Sequence, residues 1–238
     1  MLVTAVLLGI WQGIVWLFAL PPFILPGPGR VALALWENAG LIVHHAGITA
    51  LEVGLGLLFG VILGVSTAIS LAASPMARAM ARPALVATQA VPVFALAPIL
   101  NLWLGFGMGS KVLMAVLIIY FPVAWAFFDG LVRTPPGWMD LARTMGATPR
   151  QVMWRIRVPA AVPALASGLR LAAVYAPIGA VIGEWVGSAG GLGYLMLWAN
   201  GQVKIDLTFA ALAVLAALTL LLHRVVGAMS DWMVARVG

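Results

Sequence analysis

The chain has 238 residues, of which 63% are hydrophobic and only 8% charged, with a mean hydropathy of +1.09. An ordinary soluble domain carries about 25% charged residues, so this composition leaves too little polar surface to face water. The chain is expected to form one integral membrane domain, residues 1–238, of all-α class. Thirteen Lys and Arg against seven Asp and Glu give a formal charge of +6. In a membrane chain that excess is read as the bias that orients cytoplasmic loops, not as a nucleic-acid surface. There is no cysteine, which removes disulfides, thiol chemistry and zinc–thiolate sites from consideration.

A bilayer core needs about 20 mostly apolar residues per helix, and six stretches qualify. In chain order they are residues 2–20, 46–73, 83–105, 110–131, 162–186 and 207–229. The first lacks a charged leading region and a small-residue cleavage site, so it is read as a span and not as a signal peptide. Between the first two, residues 28–45 ("PGRVALALWENAGLIVHH") mix apolar side chains with Arg30, Glu37 and two histidines, a pattern expected of an outer amphipathic helix. Gly54, Gly56, Gly60 and Gly64 are spaced along the second span for close helix packing. Pro92, Pro98, Pro122 and Pro177 fall inside the third to fifth spans, where bends are tolerated if protein or a water-lined pathway satisfies the backbone.

Cations divide unevenly between the two sides. Arg78, Arg82, Arg133, Arg143, Arg150, Arg155, Arg157, Arg224 and Arg236 fall on one side, and Arg30, Lys111 and Lys204 on the other. Nine against three places both termini, and the loop after the fourth span, in the cytoplasm.

That loop, residues 134–159, carries Asp140, Arg143, Arg150, Arg155 and Arg157 in otherwise apolar surroundings. Thr134 before Pro135 is expected to cap a short helix. Gly146 is placed to end it in the left-handed conformation. Thr148-Pro149-Arg150-Gln151 reads as a capping box opening a second short helix, with Val152 and Ile156 on one face and Pro159 as its stop. A DNA-binding helix-turn-helix is set aside because the segment is tethered between two spans. On the residues alone, an amphipathic segment lying on anionic lipid and a docking knob for a soluble partner remain open.

Charges inside spans are functional candidates by default. Glu52 and Glu184 lie toward the outer face, Glu184 just before the Gly-rich "GSAGGLG" loop. There it is expected either beside a flexing gate or as an interfacial carboxylate open to water. Arg170 lies inside the fifth span and Asp129 near the inner end of the fourth, within snorkelling reach, so the two are expected to pair. His44-His45 are adjacent and do not share a helix face, which argues against a metal site. Ser167-Gly168 with His223 raises an intramembrane serine protease, but the stretch "ALASG" lacks the first glycine of such a turn and no oxyanion site is evident. A stand-alone secondary transporter would need an internal inverted repeat and a mid-membrane ion site, and no repeat is visible.

The spacing Asp140-Leu141-Ala142, three residues, Gly146, nine residues, Ile156, one residue, Val158-Pro159 resembles the EAA loop of ATP-binding-cassette (ABC) importer permeases. That loop reads Glu-Ala-Ala, x3, Gly, x9, Ile-x-Leu-Pro; this chain has Asp for Glu, Leu for the first Ala and Val for Leu. The stretches at 89–123, 168–170 and 184–196 support the resemblance, which runs over residues 45–230 and is closest to the nitrate, taurine, sulfonate and thiamine-precursor branch. It implies a type I importer-permease fold like those of the methionine and maltose importers, with six spans and cytoplasmic coupling helices. It further implies a bacterial inner-membrane homodimer, cytoplasmic ATPase subunits, and a periplasmic or lipid-anchored solute-binding protein. Asp140, Leu141, Ala142, Gly146, Ile156 and Pro159 would then couple to the ATPase. The chain would be no enzyme and hold no cofactor, since neither Lys111 nor Lys204 follows a G-x-x-x-x-G-K-S/T loop. ATP-Mg would be bound by the partner. The stretches "FALAPILNLWLGFG" and "IIYFPVAWAFFDGL" resemble thiamine-precursor (hydroxymethylpyrimidine) or riboflavin permeases more than sulfonate ones.

Overall fold

The computed structural model describes residues 2–74 and 92–237, together with Met76 and Ala79. Among the described residues there are helices and turns and no strand. In chain order the helices are α1 (Leu2–Leu17), α2 (Pro28–Glu37), α3 (Ala39–Ala73), α4 (Val93–Leu104), α5 (Met108–Val132), α6 (Pro136–Thr144), α7 (Pro149–Gly187), α8 (Leu192–Gly201) and α9 (Ile205–Ala235). Four of them, α3, α5, α7 and α9, are long and apolar enough to cross a membrane; α1 and α4 are shorter apolar helices. Five of the six apolar stretches expected from sequence are helical over nearly all of their described residues, and the first stops short of its expected end at Leu20, with α1 ending at Leu17 and a turn at 18–19. Residues 83–91 of the third, with Arg78 and Arg82 ahead of it, lie outside the described residues.

The core forms where α5 packs against α3 on one side and α7 on the other. Small residues permit that approach. A Cβ on Gly56 would come within 2.5 Å of the Ala115 Cβ, and one on Gly60 or Gly64 within 2.9 Å of Ile119 or Val123. Such close approach substitutes dispersion for the hydrophobic drive that lipid cannot supply. Gly54, expected in the same set, faces away and has no atom within 4 Å of its missing Cβ. From α7, Ala172, Ala173, Ala176 and Ala180 are fully buried against this seam.

Two boundaries differ from expectation. The outer amphipathic helix ends at Glu37, not His45. The Asn38 backbone N–H and side-chain amide both donate to the Ala34 carbonyl, at 3.1 and 2.9 Å, and stop α2 there. Residues 39–45 begin the 35-residue α3 instead. Nor does Pro159 stop a helix. Residues 149–187 run as one 39-residue helix, through a π turn at Met153–Arg157 in which Val158 N–H reaches the Met153 carbonyl five residues back. A wider turn ahead of a proline relieves the clash between its ring and the preceding turn.

Candidate functional site

The charged segment between α5 and α7 folds as a short helix, a tight turn and a helix start. Thr134 is not its cap: its hydroxyl donates back to the Leu131 carbonyl at 3.2 Å, and Pro135 occupies the cap position of α6. At the other end, Gly146 has φ +71°. Gly146 N–H donates to the Arg143 carbonyl at 3.0 Å and Ala147 N–H to the Ala142 carbonyl at 2.9 Å. This paired pattern is the Schellman close, which glycine accommodates with the least strain. The next helix opens with the expected capping box. Thr148 Oγ1 accepts from Gln151 N–H at 3.3 Å, and Thr148 N–H donates to Gln151 Oε1 at 2.8 Å.

The turn presents a mixed tip. Asp140 is exposed and paired with Arg143 at 3.1 Å, while Leu141 is 61% and Met145 77% exposed. Ala142, Val152 and Met153 are buried and fasten the segment to the helices behind it, with Ile156 and Pro159 partly buried on the way into α7. The whole is a cationic, apolar-tipped knob on a rigid base. Such a knob is suited to seating in a cleft and has no catalytic group at its tip.

At the opposite end a second cluster is closed off from solvent. His45, Thr49 and Glu52 lie one turn apart on α3 and face Glu184 of α7 and Lys111 of α5; all five are buried. Thr49 Oγ1 donates to Glu184 Oε1 at 2.6 Å and accepts from Leu192 N–H at 2.8 Å. Gly191 N–H donates to His45 Nδ1 at 3.1 Å, and Gly193 N–H to Glu184 Oε2 at 2.5 Å. The first three backbone donors around the start of α8 are thereby satisfied by side chains of α3 and α7. Gly191, at φ +104°, is required twice over, since a Cβ there would overlap the Glu184 carboxylate. Glu52 sits within hydrogen-bonding reach of Glu184, and its Oε2 is buried without a partner. Lys111 Nζ caps the preceding loop by donating to the Phe106 and Gly107 carbonyls.

Several expected placements are corrected. Glu184 is no water-facing carboxylate: it is 1% exposed, because α8 folds over it. Arg170 does not pair with Asp129. Its guanidinium meets Asp231 of α9 at 2.5 Å, while Asp129 pairs with Arg133 one turn along α5 at 2.9 Å. The α9-facing side of α7 carries Arg170, and Asp129 has a nearer cation on its own helix. His45 is a buried hydrogen-bond acceptor. No group of three or more metal-ligating side chains occurs among the described residues. Ser167 donates to the Pro163 carbonyl at 3.1 Å within its own helix, and His223 is exposed, so nothing assembles a protease site. Sequence reasoning missed Thr49 and took Lys111 only as one of the three cations on the side away from the knob. The signal was present as a polar stripe, His45, Thr49, Glu52, at helical spacing in an apolar span.

Residues 56–238 match the model of the family described as "binding-protein-dependent transport system inner membrane component". A "probable ABC transporter permease protein" of Haemophilus influenzae is 48% identical over 99% of this chain and 95% of its own length. The riboflavin transport system permease protein of Chloroflexus aurantiacus is 40% identical over 93% of this chain and 83% of its own. The formylaminopyrimidine transport permease protein of Halalkalibacterium halodurans is 34% identical over 84% and 80%. Among solved structures, a chain of the inward-facing MetNI methionine ABC transporter superposes with a TM-score of 0.70 at 20% identity, covering 85% of this chain and 98% of that one. The fold is thus that of type I importer permeases, and the chain belongs to the family of binding-protein-dependent transport system inner membrane components, a membrane-embedded transport subunit and not an enzyme.

Proposed function

We propose that this permease works as a homodimer with two cytoplasmic ATPase subunits and an external solute-binding protein. Its cargo is a small polar nitrogen heterocycle, a thiamine precursor or a riboflavin-like compound. The observation that carries the mechanism is the knob built on Gly146. Asp140, Leu141 and Gly146 form a preorganised tip, Ala142 anchors it from beneath, and Ile156 and Pro159 lie at the root of the 39-residue α7 that continues into the outer half of the fold. ATP binding closes the ATPases and moves the knobs; α7 carries that motion outward, and hydrolysis resets it. The cycle is driven by the difference in nucleotide affinity between its states. Both termini and the knob are assigned to the cytoplasm from the nine-to-three division of cations. The heterocyclic cargo is supported by the similarity to the riboflavin and formylaminopyrimidine permeases and by the stretches at 94–107 and 118–131.

The test is uptake in cells lacking their own routes, with the chain expressed beside its ATPase and binding protein. Labelled hydroxymethylpyrimidine or riboflavin should accumulate and taurine should not. Accumulation of taurine alone would overturn the cargo, and uptake that survives loss of the ATPase would overturn the drive.

A further inference from the structure

Behind the knob lies a cavity of about 550 Å³. Its floor is Ile69 and Ala72 at the end of α3 and Met153 in the π turn; Arg143, Arg150 and Arg157 line its rim. Arg143 keeps Asp140 at 3.1 Å, but Arg150 and Arg157 meet no acid among the described residues. Of the seven acids, Asp129, Asp140, Asp206 and Asp231 are paired with Arg133, Arg143, Arg30 and Arg170. Glu52 and Glu184 are buried at the far end of the fold, Glu37 ends α2 there, and residues 75–91 contain no acid at all. Arg157 is held in place by donating to the Ala72 carbonyl at 3.4 Å, yet its Nε is buried without a partner. A buried donor of this kind calls for an acceptor.

The cavity sits where α3 leaves its apolar stretch, and the half-exposed Trp154 stands at its edge. Tryptophan and arginine at that depth mark a membrane–water interface. We propose that this cavity binds the phosphodiester head of an anionic phospholipid from the adjoining leaflet. Guanidinium forks match phosphate oxygens, and the apolar floor receives the first part of the glycerol and acyl chains. A zwitterionic head would add an ammonium beside guanidiniums already in excess, so a net negative head fits better. Basic pockets between spanning helices hold anionic heads on the same terms. The proposal needs the chain to be in a membrane, and does not depend on the cargo or on what the knob docks with.

The experiment is native mass spectrometry of the full-length chain, alone and with its ATPase, from micelles holding equal phosphatidylglycerol and phosphatidylcholine. Phosphatidylglycerol should be retained selectively, survive excess inorganic phosphate, and stay bound when the ATPase is present. Arg150→Gln and Arg157→Gln should each lower that selectivity about five-fold. Arg157→Lys should largely keep it. Arg236→Gln, which removes a guanidinium stacked 3.7 Å over the Trp232 ring, should leave it unchanged. Should Arg157→Gln fail to fold, the exposed Arg150→Gln carries the test. Equal retention of the two lipids, displacement by inorganic phosphate, expulsion by the ATPase, or an equal effect of Arg236→Gln would each overturn the assignment.

Discussion

Thr49 and Glu184, 135 positions apart in sequence, are joined by a 2.6 Å hydrogen bond in a region closed to solvent, and the same hydroxyl accepts from the first backbone N–H of α8. One threonine therefore ties three helices. Thr49→Val keeps the shape and removes both bonds, stranding a buried carboxyl oxygen. A hydrogen bond to such a group contributes about 1.5–3 kcal/mol. The melting temperature in detergent should fall by about 5 °C, and Thr49→Ser should restore most of it. An unchanged melting temperature for Thr49→Val would mean the bond contributes nothing.

Arg170 and Asp231 make an ion pair between α7 and α9 whose acid is 76% exposed. Water screens such a pair, so its coupling should not exceed about 1 kcal/mol. In a double-mutant cycle on thermal stability, Arg170→Gln and Asp231→Asn should be non-additive by that amount. Arg170→Gln with Asp129→Asn should be additive. Coupling to Asp129 instead would contradict the observed partner.

Two glycines of α3 separate packing from mere composition. Gly60→Val would drive a side chain into Ile119, and overpacking of this kind costs about 1–3 kcal/mol. Gly54→Val meets nothing and should leave folded yield unchanged. Size-exclusion profiles of the two variants, expressed in parallel, decide the matter. Equal losses would show that α3 and α5 do not pack along this seam.

Gly146 is the narrowest point of the coupling proposal. At φ +71° a β-branched residue is strained by roughly 1–3 kcal/mol, which should distort the turn while leaving the spans intact. Gly146→Val is expected to remain membrane-inserted and to lose its ATPase on co-purification. Asp140→Lys should weaken that association less, because Asp140 is 69% exposed and its partner, Arg143, is in the knob itself. Full retention of the ATPase by Gly146→Val would remove the knob from the coupling path.

Orientation is testable because the chain has no native cysteine. Single cysteines at Met145 and at Gln202, both exposed, should behave oppositely toward an impermeant thiol reagent in intact cells. Gln202→Cys should label at once and Met145→Cys only after permeabilisation. The reverse pattern would invert the assigned topology.

The knob was legible in the sequence because its signals are local. A glycine ending a short helix, Thr148 and Gln151 three apart, and Pro149 at the helix start act within a few residues and are found where expected, whereas the Thr134 cap and the Pro159 stop are not. The buried cluster around Glu184 was legible only in part. Glu52 and Glu184 stand out as charges in apolar spans, but their burial depends on α8 folding over them, and nothing local announces that. The Arg170 partner was misassigned for the same reason. Reach along the membrane normal allowed Asp129, while the rotation of α7 about its axis, set by alanine packing against α5, turned Arg170 toward α9.

The unbroken α7 has a mechanical consequence. At 1.5 Å per residue, 39 residues make a rod of about 58 Å, with the knob at one end and Glu184 near the other. No loop lies between them to absorb a displacement. On the coupling proposal, a small tilt of the knob would be a lever stroke whose far end moves the carboxylate that holds down the start of α8. The π turn at Met153–Arg157 sits beside the short arm of that lever, as a wrist. A stiffer or softer wrist would change the length of the stroke without touching either end.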